Sequence, residues 1–150
     1  MSIVASDIQY FKSSQTNSDG GTISATQIVD ATLNNLFPDT NGDQAATGNI
    51  TYRKIFVKNN HGSLTLQVPL VFIQMQADSD ESISIALGTP TDTDGSALTY
   101  SVPLDRAQGL TFADLAPGTS QAIWIQRTTP SNAVAFPSST AQIQVEGDSL

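Results

Sequence analysis

The chain has 150 residues, a net charge of −8 and no cysteine. At this length one domain with a proper core is expected, since folding buries roughly 68–70% of the surface that the unfolded chain exposes. Six cations against fourteen acids exclude a large nucleic-acid footprint and an anionic membrane surface, while the missing cysteine excludes disulfides, thiolate metal sites and a cysteine nucleophile.

The N-terminus, Met1-Ser-Ile-Val-Ala-Ser-Asp7, has no basic region and no apolar run, so no secretory signal is expected. Ile3, Val4, Ile8, Tyr10 and Phe11 can form one strand, followed by a polar loop over Ser13 to Gly21. Ile28, Val29, Thr32, Leu33, Leu36 and Phe37 recur at a helical spacing, which predicts a helix between Ser24 and Phe37, stopped by Pro38. Asp39 to Gly48 reads as loop. Residues 1–49 are thus read as an N-terminal arm or elaboration on a core of residues 50–150, the whole forming one folding unit.

From Tyr52 onward the period is that of strands. Tyr52-Arg-Lys-Ile-Phe-Val-Lys-Asn59 holds three of the few cations. Leu64, Leu66, Val68, Leu70 and Phe72 share one parity, which changes around Pro69 to Val71, Ile73 and Met75, so a bulge, bend or sheet crossing is expected there. Ile83 to Leu87, Leu98 to Val102, Ile123 to Gln126 and Ile143 to Val145 alternate as well. The turns between them are rich in Asp, Asn, Gly and Pro. This pattern predicts a mainly β fold, an antiparallel β-sandwich or barrel-like single domain. Charged residues make up 13% of the chain, about half the usual share of roughly 25%. A neutral polar surface of that kind suits a protein packed against other proteins.

No residue set anchors an enzyme. The one histidine, His61, lies in the turn Asn59-Asn-His-Gly62, and a turn role is the expectation for it. Asp78 with Asp80, Asp92 with Asp94, and Asp39 with Asn41 and Asp43 have the one-apart spacing of calcium loops without the full pattern, so turn formation is the stronger reading. No catalytic, cofactor-binding or metal-binding residue is assigned, and no cofactor is expected. Two features point to protein contact: the basic strand Tyr52 to Asn59, where alternation puts Arg53, Ile55 and Val57 on one face and Tyr52, Lys54, Phe56 and Lys58 on the other, and Trp124, whose strand neighbours Ala122 and Gln126 leave it either an exposed anchor or covered by the N-terminal segment.

Gly20-Gly-Thr-Ile-Ser24, Asn35-Leu-Phe-Pro-Asp39, Gly42-Asp43, the strand Tyr52 to Asn59, Ala116-Pro-Gly118 and Ala122-Ile-Trp-Ile-Gln-Arg127 together resemble a family of small virion structural proteins of tailed bacteriophages. The resemblance implies a non-enzymatic β-sandwich protein, a decoration or cement protein on the outer surface of the capsid head that stabilises it by bridging capsid subunits. Its partners would be the major capsid protein and a second copy of itself, a trimer being one arrangement, with no nucleic acid and no membrane. Interface candidates are Ile3, Val4, Ile8, Tyr10, Phe11, Arg53, Lys54 and Trp124. Two alternatives stay open: a tail, baseplate or fibre-associated β module, and a carbohydrate- or calcium-binding β-sandwich.

Overall fold

In the computed structural model, which describes residues 2–149, the elements in chain order are β1 (Ile8–Ser13), β2 (Ile23–Gln27), α1 (Gly42–Thr47), β3 (Asn49–Asn59), β4 (Leu66–Met75), β5 (Ser82–Gly88), β6 (Leu110–Thr111), β7 (Ser120–Thr129) and β8 (Gln142–Ser149). One sheet has the order β2-β1-β3-β7-β5 and the other β6-β4-β8, with every pairing antiparallel. The fold is a β-sandwich. Its longest unbroken pairing, between β3 and β7, runs from Asn49 with Thr129 to Lys58 with Ser120.

Alternation sets what each sheet buries. Ile55 and Val57 on β3, Ile123 and Ile125 on β7, and Ile83 and Ile85 on β5 meet Leu66, Val71 and Ile73 of β4, with Leu115 completing the cluster. Such branched side chains fit a pleated, buried surface, which is why these runs are strands. The parity change at Pro69 is a bulge: the β4–β8 register slips between Gln67 and Leu70, and Val68 takes φ 47°. A β-branched residue rarely adopts that conformation. Here the Val68 N–H is turned to the Asp114 carboxylate at 2.9 Å.

Three expectations need correction. The segment from Ser24 to Phe37 is not a helix: Ile23–Gln27 is a strand paired with β1, and Ala31 and Asn34 sit at φ 57° and 54°. Its β-branched and Asn residues disfavour a helix. Ile28, Leu36 and Phe37 still pack on the core, but from irregular chain. The loop expected over 39–48 contains α1, started by a capping box in which the Asn41 side chain accepts from Gln44 N and the Gln44 side chain accepts from Asn41 N. Lastly, Leu98 to Val102 is no strand beyond one bridge between Ser101 and Ile85, after which the Pro103 carbonyl accepts from Ile73 N at 2.7 Å. This stretch carries the chain from the edge of one sheet to the other.

The first half of residues 1–49 is woven into the sandwich. β1 lies between β2 and β3, matched residue for residue from Ile8 with Asn59 to Lys12 with Ile55. An interior strand is not a detachable arm.

Candidate functional site

The outer face of the five-stranded sheet holds the most concentrated chemistry. Strand alternation turns Tyr52, Lys54 and Phe56 outward on β3, and register places Lys54 beside Trp124 and Phe56 beside Ala122. Both predicted contact residues are nevertheless inside: Lys54 is 0% and Trp124 1% exposed. The cover comes from the loops that follow β1 and β5. Lys54 Nζ donates to the Gly21 carbonyl at 2.7 Å and the Asp92 carbonyl at 3.0 Å, and it pairs with the Asp92 carboxylate. Its ammonium also lies over the rings of Phe56 and Trp124, 5.1 and 5.8 Å from their centroids. A fully buried ammonium requires this degree of satisfaction.

Close approach of the two loops depends on glycine. A Cβ on Gly95 would stand 2.5 Å from Trp124 Cε3, one on Gly88 2.6 Å from Trp124 Cδ1, and one on Gly20 2.7 Å from the Thr93 backbone. The loops are tied directly as Gly21 N donates to the Asp92 carbonyl at 2.9 Å. Tyr100 closes the cover, its hydroxyl donating to the Gly95 carbonyl at 2.9 Å. Burial would raise the Asp92 carboxyl, but the Lys54 ammonium, the Thr89 N–H and the Trp124 indole N–H outweigh it and hold the group below the usual carboxylate range. Burial pushes the Tyr100 hydroxyl well above the ordinary tyrosine value.

A second cluster seals one end of the sandwich. Arg53 and Arg127 face inward, and both guanidinium groups lie over the Phe37 ring at 5.6 and 4.8 Å. Arg53 donates to the Leu36 carbonyl at 3.3 Å and to Asp19 at 2.7 Å, while Arg127 donates to the Pro38 carbonyl at 2.9 Å. Glu81 accepts from Thr40 and Thr129 at 2.5 and 2.9 Å. Together they fasten the strap 28–40 across the sandwich end. Burial lowers the pKa of Arg127 although Glu81 opposes the shift.

The two cations expected at a protein contact are therefore consumed internally on opposite faces of β3, Arg53 by the strap and Asp19, and Lys54 by the loops. Among the N-terminal candidates, Ile3, Ile8 and Tyr10 pack against the core. The Phe11 ring lies under the Lys58 ammonium at 5.8 Å. Val4 is the exposed one, at 54%.

The remaining polar groups fasten turns. His61 Nδ1 accepts from Ser63 N and Leu64 N at 3.1 and 2.9 Å, the turn role expected of it. Asp78 accepts from Thr140 N and Asp80 from Val134 N, both at 2.8 Å, and Asp94 accepts from Ser96 N at 2.8 Å. Asn59, 0% exposed, donates to the Leu64 and Leu115 carbonyls and accepts from His61 N. Among the described residues no group of three or more His, Cys, Asp or Glu could hold a metal ion.

Sequence reasoning missed the pinned loop 130–141, whose Val134 and Phe136 are 76% and 50% exposed. The only signal was apolar residues in a stretch without strand period. Compared with protein-family models, curated proteins and solved structures, the chain matches none.

Proposed function

We propose that the chain is a non-enzymatic structural protein of a tailed-bacteriophage particle, a decoration or cement protein on the outer surface of the head that bridges neighbouring capsid subunits. The observation that supports this reading best is how its polar side chains are used. His61, Asp78, Asp80, Asp94 and Asp105 each accept from backbone N–H groups of a turn or loop, and Asp114 from the bulge of β4. Arg53, Lys54 and Arg127 are buried in loop-fastening contacts. Side chains committed in this way stiffen loops and leave little free acid, base or nucleophile in one place.

Stiffness suits a protein whose role is to hold others still. Many weak copies on a symmetric lattice bind strongly together, so no single contact has to be large. A charge of −8 would be repelled by packaged DNA, which favours the outside of the shell over its lining.

Quantitative mass spectrometry of purified particles of the encoding phage tests the proposal. Hundreds of copies per particle are expected. A few copies would move the chain to the tail or baseplate, and absence from the particle would end the structural reading.

A further inference from the structure

The geometry points to the end of the sandwich that carries loop 130–141 as the face that docks on the capsid shell, with Val134 and Phe136 entering an apolar pocket rimmed by Lys or Arg. The inference rests on the decoration-protein reading and names the surface by which it would act.

Loop 130–141 is held from both sides. Its first half is tied to α1, where Asn132 N and Ala133 N donate to the carbonyls of Ala46 and Ala45 at 3.3 and 3.1 Å. Its flanks are tied to the turn before β5, through Val134 N to Asp80 and Thr140 N to Asp78, both at 2.8 Å, and through the Ser79 and Ser139 hydroxyls at 2.8 Å. The polar atoms thus point inward to the anchors while the two largest apolar side chains, Val134 and Phe136, point out. Val134 is the most exposed large apolar residue among the described ones, at 76%, and Phe136 is half exposed. Pro137 restricts Phe136 to extended backbone, so the two side chains are presented from a segment with little freedom left to lose on binding.

Charge selects the occupant. Residues 36–48, 76–82 and 130–141, which build this end, contain Asp39, Asp43, Asp78, Asp80 and Glu81 and no Lys, Arg or His. The nearby guanidinium groups of Arg53 and Arg127 are buried, at 6% and 8% exposure. A second copy would offer the same acidic end and be repelled, so the surface does not suit self-association. A different protein with cations around an apolar pocket is complementary in both respects.

Binding to heads assembled without this chain tests the inference, with the full-length protein titrated and occupancy read by sedimentation. The double variant Val134→Ser/Phe136→Ser is expected to bind on the order of 100-fold more weakly, with an unchanged melting temperature because both residues are exposed. Val68→Ser, which alters an exposed apolar residue near the opposite end of β4, is expected to bind as the wild type does. Wild-type binding is expected to weaken as NaCl rises from about 0.05 to 0.5 M. Wild-type protein that fails to bind overturns the decoration reading and this inference with it. If the wild type binds and the double variant binds equally well, or Val68→Ser is weakened as much, the docking face is wrong while the decoration reading stands. Binding indifferent to salt removes the basic rim.

Discussion

The two faces of the five-stranded sheet are both buried, by opposite means. The inner face is closed by another sheet, and its Ile and Val residues repeat with the strand period. The outer face is closed by loops, and its centre is an ammonium between two aromatic rings with a carboxylate above it. Sheet against sheet needs only area, because hydrophobic packing is non-directional. Loop against sheet needs the buried charge paired and every Cβ kept clear, so it depends on particular residues: Gly20, Gly88, Gly95 and Asp92. The inner face should therefore tolerate conservative exchange, and the outer face should not.

Deleting residues 1–11 breaks the comparison at its base. It removes most of the strand between β2 and β3, and loss of the folded state is expected in circular dichroism and calorimetry. A truncated protein that melts cooperatively would show that the sheet can close without β1. Next comes Trp124→Ala, expected to cost about 3–5 kcal/mol in denaturant titration, as for other large buried side chains. A cost below about 1 kcal/mol would mean that the loops do not seal the ring.

Gly95→Ala adds a single methyl 2.5 Å from the Trp124 ring. Such overpacking is expected to cost about 1–3 kcal/mol, and Trp124, the chain's one tryptophan, reports it by fluorescence. An unshifted spectrum with unchanged stability would contradict the close approach.

A smaller effect follows from Asp92. Its carboxyl is held below the ordinary range in the folded chain, so its contribution is present above the unfolded value of about 3.9 and is lost as pH falls through the folded one. Asp92→Asn should flatten the decline of stability below about pH 4. Tyr100 and Tyr10, both raised chiefly by burial, act at the other end of the scale, with stability lost as pH rises above about 10. The smallest change is expected for Val134→Ser/Phe136→Ser, within about 0.5 kcal/mol of the wild type.

What could be read in the sequence follows the same division. The alternation of Ile55 with Val57 and of Ile123 with Ile125 announces the inner face, and Pro69 announces the bulge, because both effects act over a few residues. Lys54 reads as a contact residue and Trp124 as either an exposed anchor or covered by the N-terminal segment, and nothing local says that loops from positions 20 and 92 together will cover both. The strap 28–40 misleads in another way. Ile28, Leu36 and Phe37 do face the core, at a spacing that resembles a helix, but two arginines on β3 and β7 hold the segment as irregular chain. Loop 130–141 escapes altogether, because its anchors Ala45, Asp78 and Asp80 are distant in sequence.

The outer face of the five-stranded sheet is sealed from within, and the docking face proposed above is the loop end. Hydrogen–deuterium exchange of the protein free and bound to heads tests this most directly. Slowed exchange in residues 39–48, 76–82 and 130–141, with Arg53, Lys54 and Trp124 equally protected in both states, is the expected result. New protection confined to residues 3–11, or exchange in the Lys54 and Trp124 strands that slows only on binding, would contradict the account.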